Sequence, residues 1–511
     1  MTDARSTADP AGAVAATTAT NRGYIDVNAQ LGPVVGRAAG ADLASLHAER
    51  AAHGIRLSLV RSRGALFGDT RTGNRKLLET CAAESGLVPV AVLAPQRSDG
   101  LDDAIALGSR VAAFWIDILA GTGAAMDEVL AAAALAGRPL IVPISRSGDA
   151  TAVGRATVHL GVPVLLIGTH YANSVDTLAA ARRWPHLHIE TSAMAHLAAI
   201  ETAVAAIGAE RILLGTGAPL RAIQSSLNAI AVARIGDDAK RAILAGNATR
   251  LFGLPASAVE LPQIHRPQRS IDTHAHLGPM DNDVPTLTDD AFLAELARQA
   301  STEIAIASSV EAIETDSEAG NRLLVEACAR HPNLLGYLVA DPNDVEAARA
   351  QIRRWGDAPG IVGIKIGCEQ SQPTASAAIR DLFHVLADYG RPVKIHNDGP
   401  GWDTALLAIA RAHPRLPIII AHGGLGTPST EGAALTESAD NIHLEMCSSF
   451  ADLRRVREVA RRVPAHKFMF GTDAPLLEPA FVLGTYQDAG IPAERETAVY
   501  WDNAARLFGI G

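Results

Sequence analysis

From Tyr24 to the C-terminus, short runs rich in Val, Ile and Leu alternate with Ala- and Leu-rich stretches. In the second half the apolar runs cover 270–277, 303–309, 334–340, 361–367, 392–397, 417–422, 442–448 and 468–473. Between them lie segments such as "DDAFLAELARQA" and "AAIRDLFHVLADYG", with apolar residues at helical spacing. Near-continuous apolar strands separated by helices predict a parallel sheet buried on both faces. Eight such units in about 240 residues predict a (β/α)8 barrel. The first half carries a matching series at 24–31, 55–61, 88–94, 111–119, 139–145, 163–169, 187–191 and 211–216. The fold expected is therefore α/β, two tandem (β/α)8 TIM-like barrels.

The two series are copies. "GTGAPL" begins at Gly215 and "GTDAPL" at Gly471, 256 residues later; "NATRLFG" at Asn247 and "NAARLFG" at Asn503 repeat that offset. "YIDVNAQLGP" from Tyr24 answers "IDTHAHLGP" from Ile271, "RPLIVP" from Arg138 answers "RPVKIH" from Arg391, and "VPVLLIG" from Val162 answers "LPIIIAH" from Leu416. A period this long is a duplicated domain rather than a solenoid unit. The division expected is a disordered tail over 1–21, a first barrel over 22–253, a proline-bearing linker over 254–268 and a second barrel over 269–511.

Composition narrows the classes. A chain of 511 residues with 48% hydrophobic residues can bury large cores. The net charge of −10 leaves no footprint for nucleic acid or an anionic membrane. Cys81, Cys328, Cys368 and Cys447 are scattered, which predicts free thiols. The start lacks a signal-peptide pattern and no apolar run would span a bilayer, so a cytoplasmic protein is expected.

Barrel enzymes place their chemistry at the C-terminal ends of the strands. In the second half Asp272, His274 and His276 share one parity on the first strand. Lys365 lies in the fourth, His396 and His422 end the fifth and sixth, and Asp473 ends the eighth. Imidazole and carboxylate donors suit zinc, and also manganese or ferrous iron. A bound metal would acidify a water molecule, and Asp473 could hold that water and accept its proton.

These residues and the motifs "IDTHAHLG", "GIKIG", "RPVKIH", "IIIAHGG", "FGTDAP" and "NAARLFG" resemble the amidohydrolase superfamily. The likeness is to its amidohydrolase-2 branch of small-acid decarboxylases and related hydrolases. The resemblance implies that His274, His276, His396 and Asp473 hold a metal and that Asp473 is the general base. It implies that His422 binds a second metal or polarises the substrate. Lys365 stands where binuclear members carry a carboxylated bridging lysine; unmodified, it would act as a cation near a substrate carboxylate. One catalytic zinc is expected, or two if Lys365 bridges. The reaction implied is hydrolysis of a small amide, ester or lactone, or nonoxidative decarboxylation of an aromatic or unsaturated acid. Trp402, after the fifth strand, could stack on a flat substrate or simply cap the barrel, and Glu445, ending the seventh, is a candidate for substrate contact, for support behind the metal ligands or for structure alone.

In the first half the matching positions are Asn28, Gln30, Trp115, Pro143, Gly168 and Gly217. By the family's scheme this half cannot hold a catalytic metal. The expectation is a non-catalytic barrel packed against the second within one chain, in the place a homodimer partner would occupy, with a dimer of the whole chain still open. A different class of role is a small-molecule sensor at the first barrel's mouth, near Asn28, Gln30, Trp115, Arg146 and His170.

Overall fold

The computed structural model describes residues 22–33, 41–95, 100–120, 123–367 and 372–511. The tail expected over 1–21 and the thiol of Cys368 lie outside the described residues.

The first sheet runs β1 (Tyr24–Leu31), β2 (Ile55–Ser62), β3 (Leu87–Val92), β4 (Ala113–Trp115), β5 (Leu140–Pro143), β6 (Val164–Ile167), β7 (Leu187–Glu190) and β8 (Ile212–Leu213), neighbours in that order and all parallel. Bonds from Val27 N to Leu214 O (2.9 Å) and from Gly217 N to Asn28 O (2.9 Å) close the ring.

The second sheet comprises β9 (Ser270–Leu277), β10 (Thr302–Ser309), β11 (Leu334–Val339), β12 (Ile361–Ile366), β13 (Val393–Ile395), β14 (Ile418–Ile420) and β15 (Ile442–Leu444), again parallel and sequential. The eighth run expected here, 468–473, is not a regular strand. It closes the ring through single bridges, Leu444 to Phe468 and Ala275 to Ala474. Its last residue, Asp473, adopts φ 63°, as the matching Gly217 does at φ 75° in the first barrel. Thr273 N to Phe470 O (3.0 Å) and Asp473 N to His274 O (2.7 Å) complete the closure. Two tandem (β/α)8 barrels are thus present, with helices alternating between the strands. Residues 254–267 between them form neither helix nor strand.

The framework repeats in detail. Buried Asp26 accepts from Thr216 N (3.0 Å) and Asp272 from Thr472 N (3.0 Å), each tying its first strand to the closing segment. Asn247 and Asn503 each donate two 2.7 Å bonds to carbonyls at the start of that segment. The barrels pack through equivalent helices, Ile223–Val232 and Pro479–Asp488, which lie against each other. A Cβ on Gly484 would come within 2.4 Å of Ser225 N, so glycine sets this close approach. Ser225 and Thr485 share a hydroxyl bond (3.0 Å), and Asn228 donates to Ala480 O (3.0 Å).

Among the described residues no helix is long and apolar enough to cross a membrane. Cys81, Cys328 and Cys447 are free thiols.

Candidate metal centre

The alternation of β9 sends Asp272, His274 and His276 into the second barrel, all buried. Asp272 is consumed by structure: Thr472 and the His274 amide bond its carboxylate, and burial pushes its carboxyl up to about 7. His274 and His276 reach the mouth. Their Nε2 atoms stand 3.5 and 3.0 Å from Asp473 Oδ1. One ligand atom from each of the three residues can be chosen within 4.8 Å of the others.

The other ring nitrogens are occupied. His274 Nδ1 lies 2.7 Å from Glu445 Oε1, and His276 Nδ1 lies 3.1 Å from Ser308 Oγ. A carboxylate on Nδ1 fixes the tautomer that presents the Nε2 lone pair, as second-shell partners of metal-binding histidines do. His422 Nδ1 donates to Cys447 O (2.9 Å), leaving its Nε2 with the lone pair. The His422 ring lies 4.8 Å from that of His274 and 4.7 Å from that of His396, so the four histidines form one cluster. Lys365 Nζ approaches His274 Nε2 at 2.9 Å from β12.

The electrostatics suit a cation. Burial holds His274 well below the usual histidine range, and the Lys365 and Lys394 charges add to that. Burial lowers His276 and takes His396 down to about 2. Burial alone would raise Asp473, but the His274 ring, the bond from His276 and the His422 ring outweigh it and hold the carboxyl low. Neutral imidazoles and an ionised carboxylate are the protonation states metal binding requires. The residues present therefore fit a divalent cation.

Lys365, His396, His422, His274, His276 and Asp473 all line one cavity of about 230 Å³. It is not the largest: a cleft of about 410 Å³ between the barrels touches none of them. Trp402 stands apart. It is buried in the apolar core at the start of its helix and does not line the cavity. Glu445 is fully buried and does not line the cavity either; it braces His274, the His422 amide (2.9 Å) and the Cys447 amide (2.7 Å).

Sequence reasoning passed over Lys394. It is fully buried, bonds Thr273 O (2.8 Å) and lies 3.4 Å from Glu445 Oε1. Burial would raise the Glu445 carboxyl, but Lys394 and His274 keep it well below the usual range. The signal was available, since Lys394 shares the parity of His396 inside an apolar run. Ser308 and Tyr171, the latter at the cavity's rim, carried no such signal.

In the first barrel the same place is built differently. Asn28 Oδ1 accepts from Arg61 Nη1 (2.5 Å), and Asn28 Nδ2 donates to Ser192 Oγ (3.0 Å). The Arg61 guanidinium lies over the Trp115 ring at 4.1 Å. Gln30 accepts from Arg63 (3.0 Å). His170 sits at the seam between the barrels, edge-on to Phe450 at 5.5 Å. Arg146 donates its amide to Asp149 (2.8 Å).

A family model described as Amidohydrolase matches residues 4–254 and again 271–510. No curated protein matches. Among solved structures the chain is similar to 2,6-dihydroxybenzoate decarboxylase from Rhizobium, at 18% identity over 47% of this chain and 99% of that one, TM-score 0.39. It is similar to a dihydroxybenzoic acid decarboxylase from Polaromonas with bound manganese and an inhibitor, 2-nitroresorcinol, at 15% identity over 47% and 97%, TM-score 0.39. It is also similar to a probable 2-pyrone-4,6-dicarboxylic acid hydrolase from Acinetobacter baumannii with citric acid bound, at 15% identity over 47% and 100%, TM-score 0.36.

Proposed function

The chain belongs to the amidohydrolase family, and from that premise we propose that its C-terminal barrel is a divalent-metal-dependent hydrolase of a small amide, ester or lactone, while its N-terminal barrel is a non-catalytic scaffold. The observation that carries the reading is the convergence of His274 Nε2, His276 Nε2 and Asp473 on one cavity, with each histidine's other nitrogen already engaged.

His274, His276 and Asp473 would hold the ion, zinc or a similar divalent cation, with His396 and His422 offering further imidazole nitrogens. When bound, such a cation supplies Lewis acidity and lowers the pKa of water. Asp473, kept ionised, accepts the proton of the attacking water and returns it to the leaving group. Lys365 places a positive charge at the same centre, where it can face a carboxylate or a developing oxyanion. Glu445 and Lys394 hold the His274 ring in place from behind.

Decarboxylation of an unsaturated or aromatic acid would use the same residues, with Asp473 delivering a proton to carbon. Lys365 and the apolar side chains of Val310, Ile313 and Leu476 line the same cavity, a combination that favours that second reading for a flat acid. Labelled water separates the two: hydrolysis places its oxygen in the product, whereas decarboxylation releases carbon dioxide without doing so.

The reading itself is tested by metal analysis of the purified full chain. About one equivalent of divalent metal is expected in the wild type and far less in the His274→Asn, His276→Gln double variant. Equal metal in both proteins sinks the proposal.

A further inference from the structure

We infer that Tyr171, a residue of the N-terminal barrel, contacts the substrate held in the C-terminal one. The inference rests on the reading of the cavity as a metal-dependent active site. The cavity wall is built almost wholly from the second barrel, and Tyr171 is its one contribution from the first among the described residues.

The loop that delivers Tyr171 follows β6. In the second barrel the same strand end carries His422; in the first it carries Gly168, at φ 102°, where a Cβ would meet Ile144 O at 2.5 Å. The loop is braced within itself by Asn173, which accepts from His170 N (2.9 Å) and donates to Gly168 O (3.1 Å).

It is then clamped onto the other barrel on two sides. Ser174 Oγ donates to Asp283 Oδ2 (3.1 Å), in the stretch after β9 that also supplies Met280 and Asn282 to the cavity. His170 packs edge-on to Tyr171 and to Phe450, each at 5.5 Å, and Arg221 covers Phe450 at 5.4 Å. Leu453 N donates to Leu220 O (2.8 Å) beside them. These contacts hold one aromatic ring at the cavity's rim.

The chemistry is that of a ring contact. The lining sets the histidines, Lys365, Asp473 and Glu314 beside apolar Val310, Ile313 and Leu476, and Tyr171 adds an aromatic residue. Such a site takes a small ligand with a metal-binding head and a flat, apolar body, on which Tyr171 packs. The N-terminal barrel would thereby act on specificity while holding no metal.

Hydroxamate binding to the zinc-loaded full chain tests this without a known substrate. Benzohydroxamate has the flat body and acetohydroxamate lacks it. Tyr171→Ala should weaken benzohydroxamate about tenfold and leave acetohydroxamate nearly unchanged. Tyr171→Phe, which keeps the ring and the packing, should bind both nearly as the wild type does. Metal content and melting temperature are measured on each variant. Unchanged benzohydroxamate affinity in Tyr171→Ala overturns the role of Tyr171. Parallel loss of both probes also overturns it, because that pattern marks damage to the metal centre. If the zinc-loaded wild type binds neither hydroxamate, the metal-centre reading falls and takes this one with it.

Discussion

The two barrels keep the same struts and differ at the same strand ends. Asp26 with Thr216 and Asp272 with Thr472 make one bond pattern; Asn74 with Val92 and Asn321 with Val339 make another. Ser62 and Ser309 cap the helices that follow β2 and β10. One residue before each cap the barrels part company. Ser308 bonds His276 in the second barrel, whereas Arg61 bonds Asn28 in the first. The carboxylate beneath is kept in both, as Glu190 and Glu445. Burial raises Glu190, against bonds from Ser192 and the charge of Arg221, while Lys394 helps to hold Glu445 low. Where Lys394 stands, the first barrel has Ile141. Buried Arg61 lies near both retained acids of the first barrel, and Arg221 also faces Glu190. The framework answers to packing and the strand ends answer to chemistry, so each can change without the other.

The largest expected break of this comparison is chemical. Asp473→Asn should lower turnover by about a hundred- to ten-thousand-fold while the fold persists, because the proposed general base is lost. Gly217→Asp, at the matching place in the first barrel, should leave turnover and metal content unchanged. Steady-state rates against a substrate found by screening lactones, amides and aromatic acids, with metal analysis, check both arms. Gain of a second metal in Gly217→Asp would show that the first barrel still holds a usable site.

Next comes the buried cation. Arg61→Leu removes the partner of Asn28 and a charge that lies near Asp26 and Glu190. Losing its buried bond to Asn28 and its charge near those acids should cost about 1–3 kcal/mol. Denaturant unfolding should show the loss, with the metal content of the second barrel intact. A variant as stable as the wild type would mean that Arg61 compensates nothing.

The seam supplies a pH-dependent test of a similar or somewhat smaller size. His53 of the first barrel lies 2.8 Å from Asp488 of the second, both largely buried. Burial would lower the His53 pKa, but Asp488 and Glu49 outweigh it and raise it to about 9. A histidine raised on folding contributes fully below its unfolded pKa of about 6.5 and loses that contribution as pH climbs through its folded value. The stability difference between wild type and His53→Ala should therefore shrink between about pH 6.5 and 9, by roughly 3 kcal/mol at most. A difference constant across that range removes the charged pair from the seam.

Much of this was legible in the chain. The repeated offset exposed two domains, and the apolar runs located the strands because parallel strands are buried on both faces. The histidines and Asp473 stood out because their matching positions lacked them. Trp402 reads equally from the sequence as ligand contact or as a cap on the barrel, and in the structure it is buried in the apolar core. The run at 468–473 looked like a strand because apolar pattern reports burial and not ladder pairing, which here is limited to single bridges. Arg61, Tyr171 and the His53–Asp488 pair depend on contacts between residues far apart in sequence, which leave no periodic mark.

The smallest predicted effect follows from two backbone φ values that the sequence does not report. His422 and Asp473 lie at φ 59° and 63°, the left-handed region that costs a non-glycine residue about 1 kcal/mol or more. Their counterparts in the first barrel are Gly168 and Gly217, at φ 102° and 75°. At these matching positions the first barrel carries glycine, which adopts positive φ freely, and the second carries strained side chains that line the cavity. In the metal-free protein His422→Gly exchanges a bond to Cys447 for relief of that strain. The two terms are of similar size, so stability should change by no more than about 1 kcal/mol, far less than truncating a buried, bonded histidine elsewhere. His422→Ala, which loses the same bond but keeps a Cβ in the strained region, should be less stable than His422→Gly by about 1 kcal/mol. Urea unfolding of the two metal-free variants side by side reads that difference directly. Equal stabilities would mean that the turn carries no strain, and that the glycines of the first barrel need another explanation.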